Sequence, residues 1–283
     1  METKPFRKIL VASDYTELSD NAVITASEIC RKQKATLTLL HVVKDAPASV
    51  QDFEYNPPLN YLKEMKAAAK GELRHLGDKI RDKYKIPVDE IVAYGEVVKE
   101  ILKSIKEVNP DLVLIGTHGA SGFRRFFIGS TAYRVIKHTN LPVMTIPGTG
   151  DWTTFRNILF PVRLIPDALK KYDHVRPIIL TDKPTMHILG LSMESDPDTS
   201  KDIFELEDEL ETRLQEDQVT FDVSYRRCNN YADKILESAE EKKADLIVII
   251  ATIDKTKGEF FIGPFSQQIL NHAKVPVFCV RSL

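Results

Sequence analysis

The sequence predicts an α/β protein made of two tandem, doubly wound, five-stranded parallel sheets, each with strand order 3-2-1-4-5. Three observations predict it. The chain repeats itself, short apolar runs alternate with amphipathic helical stretches, and 283 residues with 43% hydrophobic and 28% charged side chains suffice for two ordinary cores. Asp111-Leu-Val-Leu-Ile-Gly-Thr returns as Asp245-Leu-Ile-Val-Ile-Ile-Ala, Phe126-Phe-Ile-Gly as Phe260-Phe-Ile-Gly, and His138-Thr-Asn-Leu-Pro-Val as His272-Ala-Lys-Val-Pro-Val, at a constant spacing of 134 residues. Lys8-Ile-Leu-Val-Ala-Ser-Asp pairs with Asn157-Ile-Leu-Phe-Pro-Val-Arg at a spacing of 149, so the second copy is about 15 residues shorter between its first and fourth strands. The copies are expected to form domains at 1–148 and 155–283, joined by a turn-rich linker beginning Gly148-Thr-Gly-Asp-Trp.

In the first copy the expected strands are Ile9 to Ala12, Leu37 to Val43, Glu90 to Tyr94, Leu112 to Ile115 and Val143 to Ile146. Several are apolar without alternation, as strands covered on both faces should be. Between them, Leu18, Ala22, Val23, Ala26, Ile29 and Cys30 share one helical face, as do Val97, Val98, Ile101, Leu102, Ile105 and Val108. Strands alternating with helices imply right-handed crossovers and a parallel sheet with helices on both sides. The second copy repeats the plan with strands at Ile158 to Val162, His187 to Leu191, Val219 to Tyr225, Leu246 to Ile250 and Val277 to Val280. Pro177 should leave its first helix, around Asp167 to Leu180, kinked or short.

Composition narrows the function. Thirty-nine basic and 41 acidic residues give a net charge of -2 with no long block of one sign, which offers no footing for nonspecific nucleic-acid binding. Cys30, Cys228 and Cys279 lie far apart in apolar patterns and read as reduced core cysteines. The N-terminus lacks a leader pattern and no segment reaches the roughly 18 apolar residues of a membrane span, so a cytoplasmic protein without membrane contact is expected.

In a doubly wound sheet the ligand crevice opens beyond the carboxyl ends of the strands where their order reverses, here between the first and fourth. Asp14 follows the first strand; Gly116-Thr-His-Gly-Ala-Ser-Gly-Phe-Arg-Arg-Phe-Phe-Ile-Gly-Ser-Thr follows the fourth. Gly116, Gly119 and Gly129 allow close backbone approach. Ser130 and Thr131 open a helix whose first-turn N–H groups and dipole favour a phosphate, the alternative being a glycine turn that only reverses direction. No G-x-x-x-x-G-K-[ST] is present, Lys137 lies two turns inside the helix, and His118 reads as a phosphate or structural contact rather than a base. Arg124 and Arg125 read either as partners of a triphosphate or as solvated loop residues.

The spacing G-x2-G-x9-G-[ST], met by Gly116, Gly119, Gly129 and Ser130 together with Asp14, resembles the ATP-binding class of the universal stress protein family. The resemblance covers both halves, like the tandem members, and implies a Rossmann-like, adenine nucleotide alpha hydrolase-like fold. It implies that Ala12, Ser13 and Asp14 line the adenine and ribose side, that Val42 meets adenine through its backbone, and that Ile115, Gly116, His118, Gly119, Gly129, Ser130 and Thr131 surround ribose and phosphates. ATP, or ADP or AMP, is the implied ligand, with Mg²⁺ as companion. The family also implies pairing of the two fifth strands into an internal pseudo-dimer, and it allows a homodimer and protein partners not named by the sequence. The long connection from Lys44 toward Leu59 reads as a lid or a plain excursion.

The second half departs from this pattern. Arg163 stands in place of Asp14, Ala251 of Gly116, Asp254 of Gly119 and Pro264 of Ser130, with only Gly263 kept. A carboxylate there would repel a phosphate about 4 Å away by roughly 4 kcal/mol at an effective dielectric near 20. An Arg163–Asp254 salt bridge across the vacated crevice is expected, with capture of a different anion by Arg163 as the alternative. The leading function is a nucleotide-dependent regulatory module of the stress response with no catalytic residues; the alternatives are a slow ATPase and a nucleotide-stabilised interaction scaffold.

Overall fold

The computed structural model describes residues 4–44, 59–117, 130–196, 199–251, 253–254 and 261–282. In the first half β1 (Lys8–Ala12), α1 (Glu17–Gln33), β2 (Thr36–Val43), α2 (Leu59–Tyr84), β3 (Val88–Tyr94), α3 (Val97–Val108), β4 (Leu112–Thr117), α4 (Ser130–His138) and β5 (Val143–Pro147) follow one another. The second half continues with β6 (Asn157–Val162), α5 (Lys170–Asp182), β7 (Thr185–Met193), α6 (Ser200–Glu216), β8 (Thr220–Cys228), α7 (Tyr231–Glu241), β9 (Leu246–Ala251), a small hairpin of β10 (Ile253–Asp254) and β11 (Phe261–Ile262), α8 (Pro264–His272) and β12 (Val277–Arg281). The stretch read as a lid falls on 45–58, outside the described residues.

One ten-stranded sheet runs in the order β3-β2-β1-β4-β5-β12-β9-β6-β7-β8. Each half thus has order 3-2-1-4-5 and parallel neighbours. The halves meet where β5 and β12 pair antiparallel, with Phe278 opposite Met144 and Cys279 opposite Val143. Both strands are buried over this register, so the sheet edges expected to need cover are joined to each other.

Strand side chains alternate between two apolar layers. Ile9 and Val11 enter the layer that holds α1, α2, α5 and α6, whereas Leu10 enters the layer of α3, α4, α7 and α8. Each layer spans both halves, which makes the chain one continuous three-layer sandwich. Cys30, Cys228 and Cys279 are free and buried in these layers. Helix starts follow local chemistry: Thr16 caps α1 by accepting from Ser19 N, and Glu96 caps α3 by accepting from the N–H groups of Val98 and Lys99. Lys34 and Asn109 take the left-handed conformation that ends those helices. Helix α5 holds Pro177 in its interior and spans 13 residues against 17 in α1.

Repetition of one acidic residue has a structural cause. Asp111 Oδ2 accepts from the N–H groups of Arg7 (2.6 Å) and Lys8 (2.9 Å), tying the start of β1 to that of β4. Asp245 does the same for Arg156 (2.7 Å) and Asn157 (3.0 Å) ahead of β6. A second tie crosses the halves. Lys32 Nζ in α1 donates to Thr153 O, Thr154 Oγ1 and, at 2.6 Å, to Asp182 at the end of α5, whose other oxygen accepts from Phe155 N. The linker is therefore strapped between two helices from different halves.

Candidate functional site

The order reversal falls between β1 and β4, which lie side by side in register up to Ala12 and Ile115. On the other side β1 pairs with β2, and Ser13 N donates to Leu40 O at 2.9 Å. Ala12, Val42 and Ile115 all pack with the α3 and α4 layer, so these three sequence-expected residues share one face at the carboxyl end of the strands. Helix α4 returns over that face from Ser130, and its first turn therefore opens at the same end. Ser130 is exposed and Thr131 half-buried there. Arg134 in α4 holds this start beside that of α3 by donating to Glu96 at 2.8 Å.

Ser13 and Gly116 turn the other way. A Cβ on Gly116 would come within 2.7 Å of Leu18 O and 3.2 Å of Ser19 Cα, so the glycine admits the first turn of α1. Ser13 is buried, and its hydroxyl lies 3.2 Å from that of Ser19. Side-chain space at both positions belongs to α1, which leaves their backbones as the groups that can meet a ligand. His118, Gly119 and Gly129, with Arg124 and Arg125, lie outside the described residues.

Asp14 is exposed at the mouth, and its Oδ1 accepts from both the side chain (2.6 Å) and the backbone N–H (3.2 Å) of Thr16. Partial burial pushes the carboxyl up, but the bonds from Thr16 and Ser19 outweigh it and hold Asp14 below the usual range, charged at neutral pH. Tyr15 follows with φ +60°, a conformation costly for a bulky residue. Its ring stacks on His41 at 4.3 Å, its hydroxyl donates to Ala69 O, and His41 Nδ1 donates to Ser13 O. This sends the tyrosine into the α1 and α2 layer and leaves Asp14 facing solvent.

At the equivalent mouth of the second half, the Arg163 guanidinium lies over the Phe265 ring at 3.5 Å and the Tyr231 ring at 5.1 Å. The Asp254 side chain of the expected salt bridge lies outside the described residues, and among those described Arg163 meets rings and no carboxylate. Burial depresses the Arg163 guanidinium to about 10. Lys171, in α5, is 3% exposed; its Nζ donates to Pro161 O at 2.5 Å and sits 4.4 Å from the centre of the Phe160 ring. Burial, with Arg163 adding to it, holds this amine well below the ordinary lysine range. Sequence reasoning missed Lys171, although a signal existed. It falls on the apolar stripe of α5 with Tyr172, Val175 and Ile178, where a lysine is out of place.

The model of the universal stress protein family matches this chain twice, over residues 5–147 and 155–281. The universal stress protein YxiE of Bacillus subtilis is 30% identical over 148 residues, covering 50% of this chain and 99% of the relative. The universal stress protein MJ0577 of Methanocaldococcus jannaschii is 25% identical over 158 residues, covering 50% of this chain and 94% of its own. A solved universal stress protein from Archaeoglobus fulgidus shares the whole fold, with a TM-score of 0.79 at 19% identity and 99% of each chain covered. Two copies of the family's domain, joined in one sheet through their fifth strands, make this chain a tandem member of the universal stress protein family.

Proposed function

We propose that the first half binds ATP, or ADP or AMP in its place, at the mouth between β1 and β4, and that occupancy regulates the surface the protein offers to others. One observation carries the reading: Ala12, Val42, Ile115 and the first turn of α4 converge on one face at the point of order reversal. The apolar trio suits a base, Asp14 remains charged for the ribose hydroxyls, and the orphan N–H groups of a helix start suit phosphates. The loop 118–129 would supply the rest through its glycines.

A nucleotide fits this residue set better than a protein-held metal would. Among the described residues no cluster of three His, Cys, Asp or Glu side chains could hold a metal. Mg²⁺, which keeps several waters and binds phosphate oxygens, would be carried chiefly by the triphosphate. The regulatory reading is preferred to an enzymatic one because Asp14 is bonded within its own turn to Thr16 and the sequence places no carboxylate to orient His118 as a base.

The test is nucleotide release on denaturation of the purified full chain, followed by titration calorimetry with ATP. ATP is expected to be released and to rebind, and Ser130→Ala with Thr131→Ala is expected to weaken binding about tenfold while unfolding stability stays near wild type. Failure of the stripped protein to bind millimolar ATP would sink the proposal, and steady phosphate release would replace regulation with hydrolysis.

A further inference from the structure

From the geometry of the second half we infer a separate binding site for a small oxyanion, formed by Arg163 and Lys171 at the carboxyl end of β6 and β9. Pro161, Arg163, Ile165, Lys171, Ile249 and Phe265 line a narrow pocket there. The Arg163 guanidinium and the Lys171 amine meet rings and one carbonyl oxygen; among the described residues neither has a carboxylate partner. The amino end of α8, which carries Phe265, opens at the same place and adds the positive end of its dipole.

Among the described residues the guanidinium, the amine and the helix start converge in an apolar pocket with no carboxylate beside them, which is an expensive arrangement. Desolvated charges are ordinarily paired, and like charges raise each other's cost. That cost falls when an anion enters, because it pairs with the guanidinium in the plane of its N–H groups and with the amine. Burial first, and the nearby Arg163 charge second, lower the Lys171 amine from the ordinary lysine range, and an incoming anion would act against both. The pocket admits only a water-sized group as it stands, so a guest must lift the guanidinium from Phe265. A compact oxyanion of about the size of phosphate or smaller needs the least such movement. The site is independent of the proposal for the first half.

The test uses inorganic phosphate and, separately, formate as probes of the full chain, against chloride at equal ionic strength. Thermal unfolding is expected to shift upward by several degrees with one or both probes, in wild type and in the Ser130→Ala, Thr131→Ala variant alike. The shift is expected to vanish in Arg163→Met and in Lys171→Met, each checked by circular dichroism for folding. Chemical-shift change of the Arg163 Nε–H signal, assigned by its loss in the methionine variant, gives a direct readout that does not depend on stability. Absence of both responses in wild type would show that the charge is already balanced, as Asp254 would do, and would overturn the inference. Loss of the shift only in the Ser130, Thr131 variant would place the anion in the first half and overturn it equally.

Discussion

Gly116 shows how a motif residue can serve two masters. In the sequence it reads as the first glycine of a phosphate loop, and in the structure it lets α1 press against β4. Gly116→Ala is accordingly expected to cost about 1–3 kcal/mol, read from urea unfolding, since Leu18 O is backbone and cannot swing aside. Glu207 supplies a second residue-scale prediction. It is 3% exposed in α6, its Oε1 has no hydrogen-bond partner, and burial followed by the nearby charge of Glu211 raises its carboxyl to about 7 despite an opposing backbone contact from Gly190. A raised folded-state value means that the unfolded chain ionises first as pH climbs. Stability is then lost between about pH 4.5 and 7 and stays flat above. Glu207→Gln should match wild type near pH 4 and exceed it at pH 8 by roughly 3 kcal/mol in denaturant midpoints converted to free energy. Neither Glu207 nor Lys171 was singled out from sequence, because a charged residue on a helix is by default placed in water and only the packed partner helix or strand reveals otherwise.

At the scale of elements the strands were the most legible part. An unbroken apolar run as short as Leu112 to Ile115, bounded by Asp111 and Gly116, suits a strand covered on both faces and is too short for a buried helix. The structure extends that run by two residues to Thr117 because Gly116 and Thr117 still pair with Ile146 and Pro147. Helix α2 was harder to read. Its stripe of Leu73, Ile80 and Tyr84 is sparse against many charged residues. The mouth was located from topology alone, since order reversal is a property of how the strands connect. Which groups at Ser13 and Gly116 face it was not legible, because that depends on the packing of α1. The repeated acidic residue gives an element-scale test. Asp111→Ala and Asp245→Ala each release two backbone N–H groups at a strand start, and the loss is expected to be about 1–2 kcal/mol at exposed Asp111 and larger at half-buried Asp245, measured by thermal unfolding.

On the scale of the whole molecule, the β5–β12 seam decides how the chain behaves as a unit. Cutting the chain after residue 150 would leave the first half with a bare β5 edge whose residues are all buried in the intact chain. That fragment is close in length to the 148-residue stretch shared with YxiE, which covers 99% of that relative. It is expected to fold and to pair through β5 into a dimer in light-scattering chromatography, with Lys32 deprived of Asp182. A monomeric fragment would mean that the seam contributes less than its burial suggests.

Because the seam joins strands of opposite sense, the carboxyl ends of β1 and β4 point one way and those of β6 and β9 the other. The two mouths therefore look out from opposite rims of the same slab. A visitor docking on one rim leaves the far rim open to another, and no single small molecule can bridge them. Between the two rims lies the shared floor of strands.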